Sequence, residues 1–239
     1  MPLPKIATPT YELVLPSTGK NLKYRPFLVK EEKLLVLALE SENTKEITTA
    51  IKNVIKACVL TRGVKIETLP TFDIEYLFLN IRGKSVGEEI EVNIICPDDG
   101  ETYAPVKINI DEIEVQKNDK HTNKIKLDAK LVMEMKYPSL EQFIKSNFDF
   151  SEEVGMDQSF DMISSCIDKI YNEEEVWTAS DCSKKELIDF LEQMNSSQFK
   201  EIEKFFESMP KLSHEVKVKN PNTEVESTVV LEGLSSFFA

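Results

Sequence analysis

Apolar positions along this chain follow two rhythms, every second residue and every third or fourth, and the changes of rhythm divide it into elements. Prolines at positions 2, 4 and 9 predict an extended arm ahead of Tyr11. Tyr11–Leu15 and Asn21–Arg25 then flank Pro16-Ser-Thr-Gly-Lys20, which reads as a β-hairpin. From Arg25-Pro26 the chain enters a Glu-rich first turn, Glu31 and Glu32, and a leucine-rich run, Leu34–Leu39. Acidic residues suit the positive end of a helix dipole, so this stretch predicts a helix, and its apolar run predicts a buried one. Asn43 or Thr44 can cap a second helix, with Ile47, Ala50, Ile51, Val54, Ile55 and Cys58 on one face. Leu69–Gly83 starts beside a proline, stops at a glycine and carries few polar positions. It predicts a helix buried on most sides, with Gly83 as its C-cap.

The rhythm becomes two at Ile90, Val92 and Ile94, and again, after Pro97-Asp-Asp-Gly100, at Val106, Ile108 and Ile110. That is a strand–turn–strand pair with one buried face. Ile125 to Met135 reads as one long third strand, reached by a polar and mobile connection, 115–123. Helical spacing returns at Ser139–Gln142, a capping box, and over Asp157–Tyr171. Ser183–Glu186 is a second capping box, and Asn195-Ser-Ser197 separates one helix from the next. Two alternating runs, 214–219 and 225–231, and an apolar tail close the chain. The expected fold class is α+β. A hairpin plus helices occupies 1–84, antiparallel strands 85–137, an acidic helical segment 138–210, and a closing hairpin with tail 211–239, which completes the central sheet. At 239 residues, these segments suffice for one large domain or two small ones.

Charge sharpens this outline. The formal net charge is −13, from 42 acidic and 29 basic residues, and residues 151–210 hold 15 acids against 5 bases. Such a surface repels phosphate backbones, so no nucleic-acid partner is expected. A solvated helical face accounts for the acids; a face that docks a basic partner is the alternative. No apolar run approaches the ~20 residues of a membrane span, so no membrane partner is expected, and Met1-Pro-Leu-Pro-Lys5 lacks the order of a signal peptide. Cys58, Cys96, Cys166 and Cys182 lack paired spacing and read as free thiols in a reducing compartment.

The candidate chemistry is thin. Gly83-Lys-Ser85-Val-Gly87 matches the nucleophile elbow, which would make the chain a hydrolase using Ser85. That motif needs a strand before its serine and a helix after it, and here the order is reversed. The histidine would have to be His121 or His214. The same residues resemble the end of a phosphate-binding loop, but the required first glycine is Phe78. Cys96-Pro-Asp-Asp99 looks like half of a zinc knuckle with its second cysteine replaced, and no Cys-x-x-Cys occurs in the chain. Asp149, Glu152, Glu153 and Asp157 lack the loop spacing of a calcium site. No catalytic residue, cofactor or metal is therefore expected. In the tail, Leu234, Phe237 and Phe238 are candidate partner anchors, since aromatic side chains carry much interface energy. The alternative is that the last turn folds back onto its own domain.

Three stretches together carry a resemblance: Tyr24–Lys33; Leu69–Leu79 with Arg82–Gly87; and Phe205–His214 followed by Leu231–Phe238. They resemble the baseplate hub and hub-assembly proteins of T-even-like contractile-tailed phages, especially the form seen in marine relatives. The likeness implies a protein made in the host bacterial cytoplasm during assembly, with the virion tail baseplate as a second location. Its partners would be other phage baseplate hub proteins, it would act as a chaperone-like assembly factor or as a permanent hub subunit, and it would catalyse no covalent chemistry. Some relatives carry cysteine pairs near the positions of Cys96–Asp99 and Asn220–Thr223. This chain departs from that pattern at both places, which argues against a metal. The oligomeric state is not legible in the sequence.

Overall fold

The computed structural model describes residues 6–41, 43–140 and 156–237. They form an α+β fold divided into two compact units. The first unit comprises the chain up to Ile66, with Phe72–Gln116 and Lys211 onwards; the second comprises Glu67–Thr71 and Lys117–Pro210.

In the first unit, β1 (Tyr11–Val14) and β2 (Asn21–Tyr24) form the expected antiparallel hairpin. Its turn closes with Gly19 N–H donating to Leu15 O at 2.8 Å, and Gly19 has φ +67°, a conformation glycine adopts without strain. Next come α1 (Val29–Glu40), α2 (Thr44–Cys58) and α3 (Thr71–Val86). Asn43 caps α2 by accepting from Lys45 N and Glu46 N. Along α3, Phe72, Ile74, Leu77, Phe78, Leu79 and Ile81 are all buried, as the near-absence of polar positions predicts. Gly83 does not cap this helix. It lies inside it, and the chain turns only at Gly87, φ +125°. A Cβ at Gly83 would sit 3.3 Å from Ile110 Cγ2, so close packing rather than termination explains the glycine.

β3 (Glu89–Ile95) and β4 (Tyr103–Asn109) pair antiparallel in full register, Ile90 opposite Ile108 and Val92 opposite Val106. The closing hairpin, β10 (Lys211–Lys219) and β11 (Glu226–Glu232), does not extend that pair by hydrogen bonds. It joins β5 (Glu114–Gln116) in a three-stranded sheet of order β11-β10-β5. The β3–β4 and β10–β11 hairpins nevertheless share one core, in which Leu79, Val92, Ile108, Leu212, Val218 and Phe237 are buried together. Their apolar faces meet, while their edges do not pair.

In the second unit, Ile125–Met135 is not one long strand. It is β6 (Lys124–Lys126) and β7 (Val132–Met135), folded against each other because the Asp128 side chain accepts from Lys130 N and Leu131 N and reverses the chain. The expected helix over Asp157–Tyr171 also divides, into α4 (Met156–Ser165) and β8 (Ile167–Tyr171). Cys166, Ile167 and Ile170 are buried as helical spacing would bury them, but the β-branched end of the run pairs with β7 and with β9 (Val176–Thr178). The capping box expected downstream forms, and the break at Asn195 proves to be another. Ser183 with Glu186 starts α5 (Lys184–Glu192), and Asn195 with Gln198 starts α6 (Ser196–Ser208). The core here is Ile125, Met133, Met135, Ile163, Leu191, Ile202 and Phe205 with their neighbours. The connection expected to be mobile is structured on both sides: β5 pairs with β10, and His121 stands between Tyr137 and Phe205, 5.6 and 5.2 Å from their ring centres. Gln142, the second half of the first expected capping box, lies outside the described residues, as do Asp149, Glu152 and Glu153.

Candidate functional site

The segment from Tyr24 to Glu40 holds the least expected feature. β2 ends in a bridge between Tyr24 and Val59, and Arg25 N–H donates to Cys58 O at 3.0 Å, so the entry to α1 is tied to the exit of α2. The Arg25 guanidinium then turns inward. It donates to Pro26 O at 2.8 Å and pairs with Glu31 at 3.0 Å, where the Glu31 side chain is 4% exposed. Glu31 also accepts from Leu28 N–H at 2.8 Å and so caps its own helix. Burial alone would raise its carboxyl pKa. The hydrogen bonds from Arg25 and Leu28 and the charge of Arg25 outweigh burial and hold it below the usual range. The acids of this first turn therefore do more than meet a helix dipole: Glu31 is the buried clasp of the helix.

With Glu31 and Ala38 turned inward and Leu35 half-buried beside them, Leu34, Leu37 and Leu39 turn out. The buried helix expected here is instead an exposed one, with Val29 79%, Leu34 51%, Leu37 53% and Leu39 56% exposed. The reason is the short inward face. Glu31 and Ala38 lie seven residues apart, two helical turns, and they alone are fully covered; the long apolar side chains fall at other angles.

Ser85 belongs to the same framework. It lies in the last turn of α3, where its hydroxyl donates to Ile81 O at 2.5 Å and accepts from Phe27 N–H at 2.9 Å. The residue proposed as a nucleophile therefore fixes the backbone just before α1. His121 and His214 are placed elsewhere. His121 Nδ1 bonds the Ser208 hydroxyl at 2.9 Å in the second unit, and His214 stands in β10 opposite Leu231. His121 Nε2 is buried without a hydrogen-bond partner, and burial lowers its pKa.

The two turns singled out by the resemblance come together. Asn220, at the tip of the β10–β11 hairpin, is fully buried and donates to Asp98 at 3.0 Å and Asp99 at 2.8 Å in the β3–β4 turn. The Thr223 hydroxyl donates to Asp98, and Asn222 donates to Thr102 at 3.0 Å. Asp99 also accepts from Glu101 N and Thr102 N. Hydrogen bonds from Thr223 and Asn220 lower the pKa of Asp98, and those from Thr102 and its neighbours lower that of Asp99. This is a polar clip between two hairpin tips. Cys96 beside it is buried, which raises its thiol pKa. Among the described residues, no three His, Cys, Asp or Glu side chains are grouped closely enough to hold a metal ion. Spacing alone could not reveal the clip, because its halves lie over 120 residues apart.

In the tail, Leu234–Phe237 form a 3-10 turn, and the Phe237 ring is 1% exposed among the core residues of the first unit. In the isolated chain, then, Phe237 takes the fold-back position that the sequence reading offered as the alternative to an anchor. The Leu234 side chain and Phe238 lie outside the described residues.

Among the described residues, no helix is long and apolar enough to cross a membrane. The family model of the T4 bacteriophage base plate protein matches residues 8–239. No curated protein and no solved structure matches the chain.

Proposed function

Because the chain belongs to the T4 bacteriophage base plate protein family, we propose that it works as an assembly factor of the baseplate hub, lending contact surface to other phage subunits and changing no covalent bond. The observation that carries this reading is α1, on which Val29, Leu34, Val36, Leu37 and Leu39 are each about half exposed or more. Large apolar side chains gathered in the open on one short element mark a protein–protein contact. The hub assignment itself rests on the three resembling stretches, Tyr24–Lys33, Leu69–Leu79 with Arg82–Gly87, and Phe205–His214 with Leu231–Phe238, which resemble the form in marine relatives. The sites of covalent chemistry considered in the sequence have structural occupations that support the same reading. Ser85 ties α3 to the entry of α1, and the Cys96–Asp99 turn is bonded to Asn220 and Thr223.

In this reading the protein acts in the host cytoplasm while the hub is built, and its partners are hub subunits. Leu234 and Phe238 serve as tail contacts on either side of the core residue Phe237. Replacing both with alanine is expected to reduce capture of hub subunits from infected cells while leaving the thermal transition in place. The wider test is mass spectrometry of purified virions beside co-purification from infected cells. Baseplate subunits should co-purify, and virions should carry few or no copies. Stoichiometric copies in each particle would make the chain a permanent hub subunit instead.

A further inference from the structure

We propose that the partner covering α1 is a second copy of this chain, packed antiparallel about a twofold axis that crosses the helix between Val36 and Leu37. The inference rests on the assembly reading above only in taking α1 to be an interface. It adds who sits on it.

The outer front of α1 is self-complementary. On the side of α1 away from Glu31 and Ala38 lie Val29, Lys33, Val36, Leu37 and Glu40, all exposed. Val29 and Val36 are seven residues apart, as are Lys33 and Glu40, so each pair falls on almost the same line along the helix. The front is thus an apolar centre, Val36 and Leu37, with a positive charge one turn before it and a negative charge one turn after it. Lys33 and Glu40 have no ion-pair partner among the described residues; the nearby bridges engage Arg25, Lys30 and Glu31. A parallel partner would set Lys33 against Lys33 and Glu40 against Glu40. An antiparallel copy centred on Val36–Leu37 sets each Lys33 against the other copy's Glu40, twice, and stacks Val36 on Leu37 between them. In a twofold interface the same patch serves both subunits, so residue i meets j and j meets i. Charges flanking an apolar helical seam set orientation and partner in this way. A three-turn helix presents a modest area, so the pair should be a weak, exchanging dimer rather than an obligate one.

The test is sedimentation velocity on the full chain, from roughly 1 to 200 µM, the range in which a small interface self-associates. Wild type should pass from monomer to dimer. Lys33→Glu and Glu40→Lys should each weaken association at least tenfold, and the double variant, which restores opposite charges across the axis, should recover most of it. Both side chains are exposed, so an unchanged thermal transition serves as the folding check. Wild type that stays monomeric throughout overturns the proposal. So does a dimer indifferent to the single reversals, or one that the double variant fails to restore. Capture of baseplate subunits from infected cells is scored separately. A monomer that captures them through α1 overturns the self-pairing and leaves the assembly role standing. A charge-dependent dimer that captures none upholds the pairing and removes the assembly role.

Discussion

At the scale of single residues, three polar side chains carry more of the structure than their types suggest. Glu31 pairs with Arg25 at 3.0 Å in an environment nearly closed to water. Removing one partner leaves the other buried and uncompensated, a change that destabilises by roughly 3–5 kcal/mol. Glu31→Gln should therefore lower the unfolding free energy by about 3 kcal/mol, read as a lower urea midpoint, whereas Lys33→Ala, on the exposed front of the same helix, should move it hardly at all. Ser85→Ala removes a hydroxyl that both donates and accepts, and should lower stability by about 1–2 kcal/mol. His121 supplies a pH dependence. Burial lowers its pKa below the ordinary value of about 6.5, so the unfolded chain binds this proton more readily than the folded one. Stability linked to His121 is then fully present above about pH 6.5 and falls as the pH drops below it. Chemical denaturation at pH 7.5 and pH 5.5 should show that loss, and His121→Phe should make it smaller.

At the scale of elements, the informative cases are those where the local pattern was right and its partner was not. The tail is one. Its aromatic residues stand out in the sequence, and Phe237 goes into the core beside Val92, Ile108 and Leu212. Phe237→Ala should lower the unfolding free energy by about 3–5 kcal/mol, as for other buried aromatic truncations, which calorimetry or urea titration will read. The polar clip is another. Asn220→Ala leaves Asp98 and Asp99 without their shared donor and should destabilise by about 1–3 kcal/mol. It should also speed amide exchange in the 96–102 turn, while exchange in α4 to α6 stays unchanged.

At the scale of the whole molecule, two compact units with separate cores predict that unfolding is not a single two-state event. Ile81 belongs to the first unit and Phe205 to the second, and both are buried. Scanning calorimetry should resolve two components. Ile81→Val should lower one and Phe205→Leu the other, and a shift of both together by either variant would show that the units melt as one. The exposed front of α1 belongs to this scale as well, because nothing within the described residues covers it.

Much of this architecture follows from short-range pattern. The opening hairpin, α2, α3, β3–β4, the Ser183–Glu186 capping box, the break at Asn195 and the closing hairpin all come from apolar spacing and cap residues within a few positions of one another, and each was legible as such. Long-range choices were not. The apolar spacing around Ile167 does not tell a buried helix end from a central strand, since both bury Cys166, Ile167 and Ile170; pairing of Ile170 with Met133 and Trp177 decides it. Likewise the leucines of α1 are apolar in any reading. Whether they are covered depends on which faces α2, Ser85 and the Arg25–Glu31 pair leave turned outward, and those neighbours meet only in the folded chain.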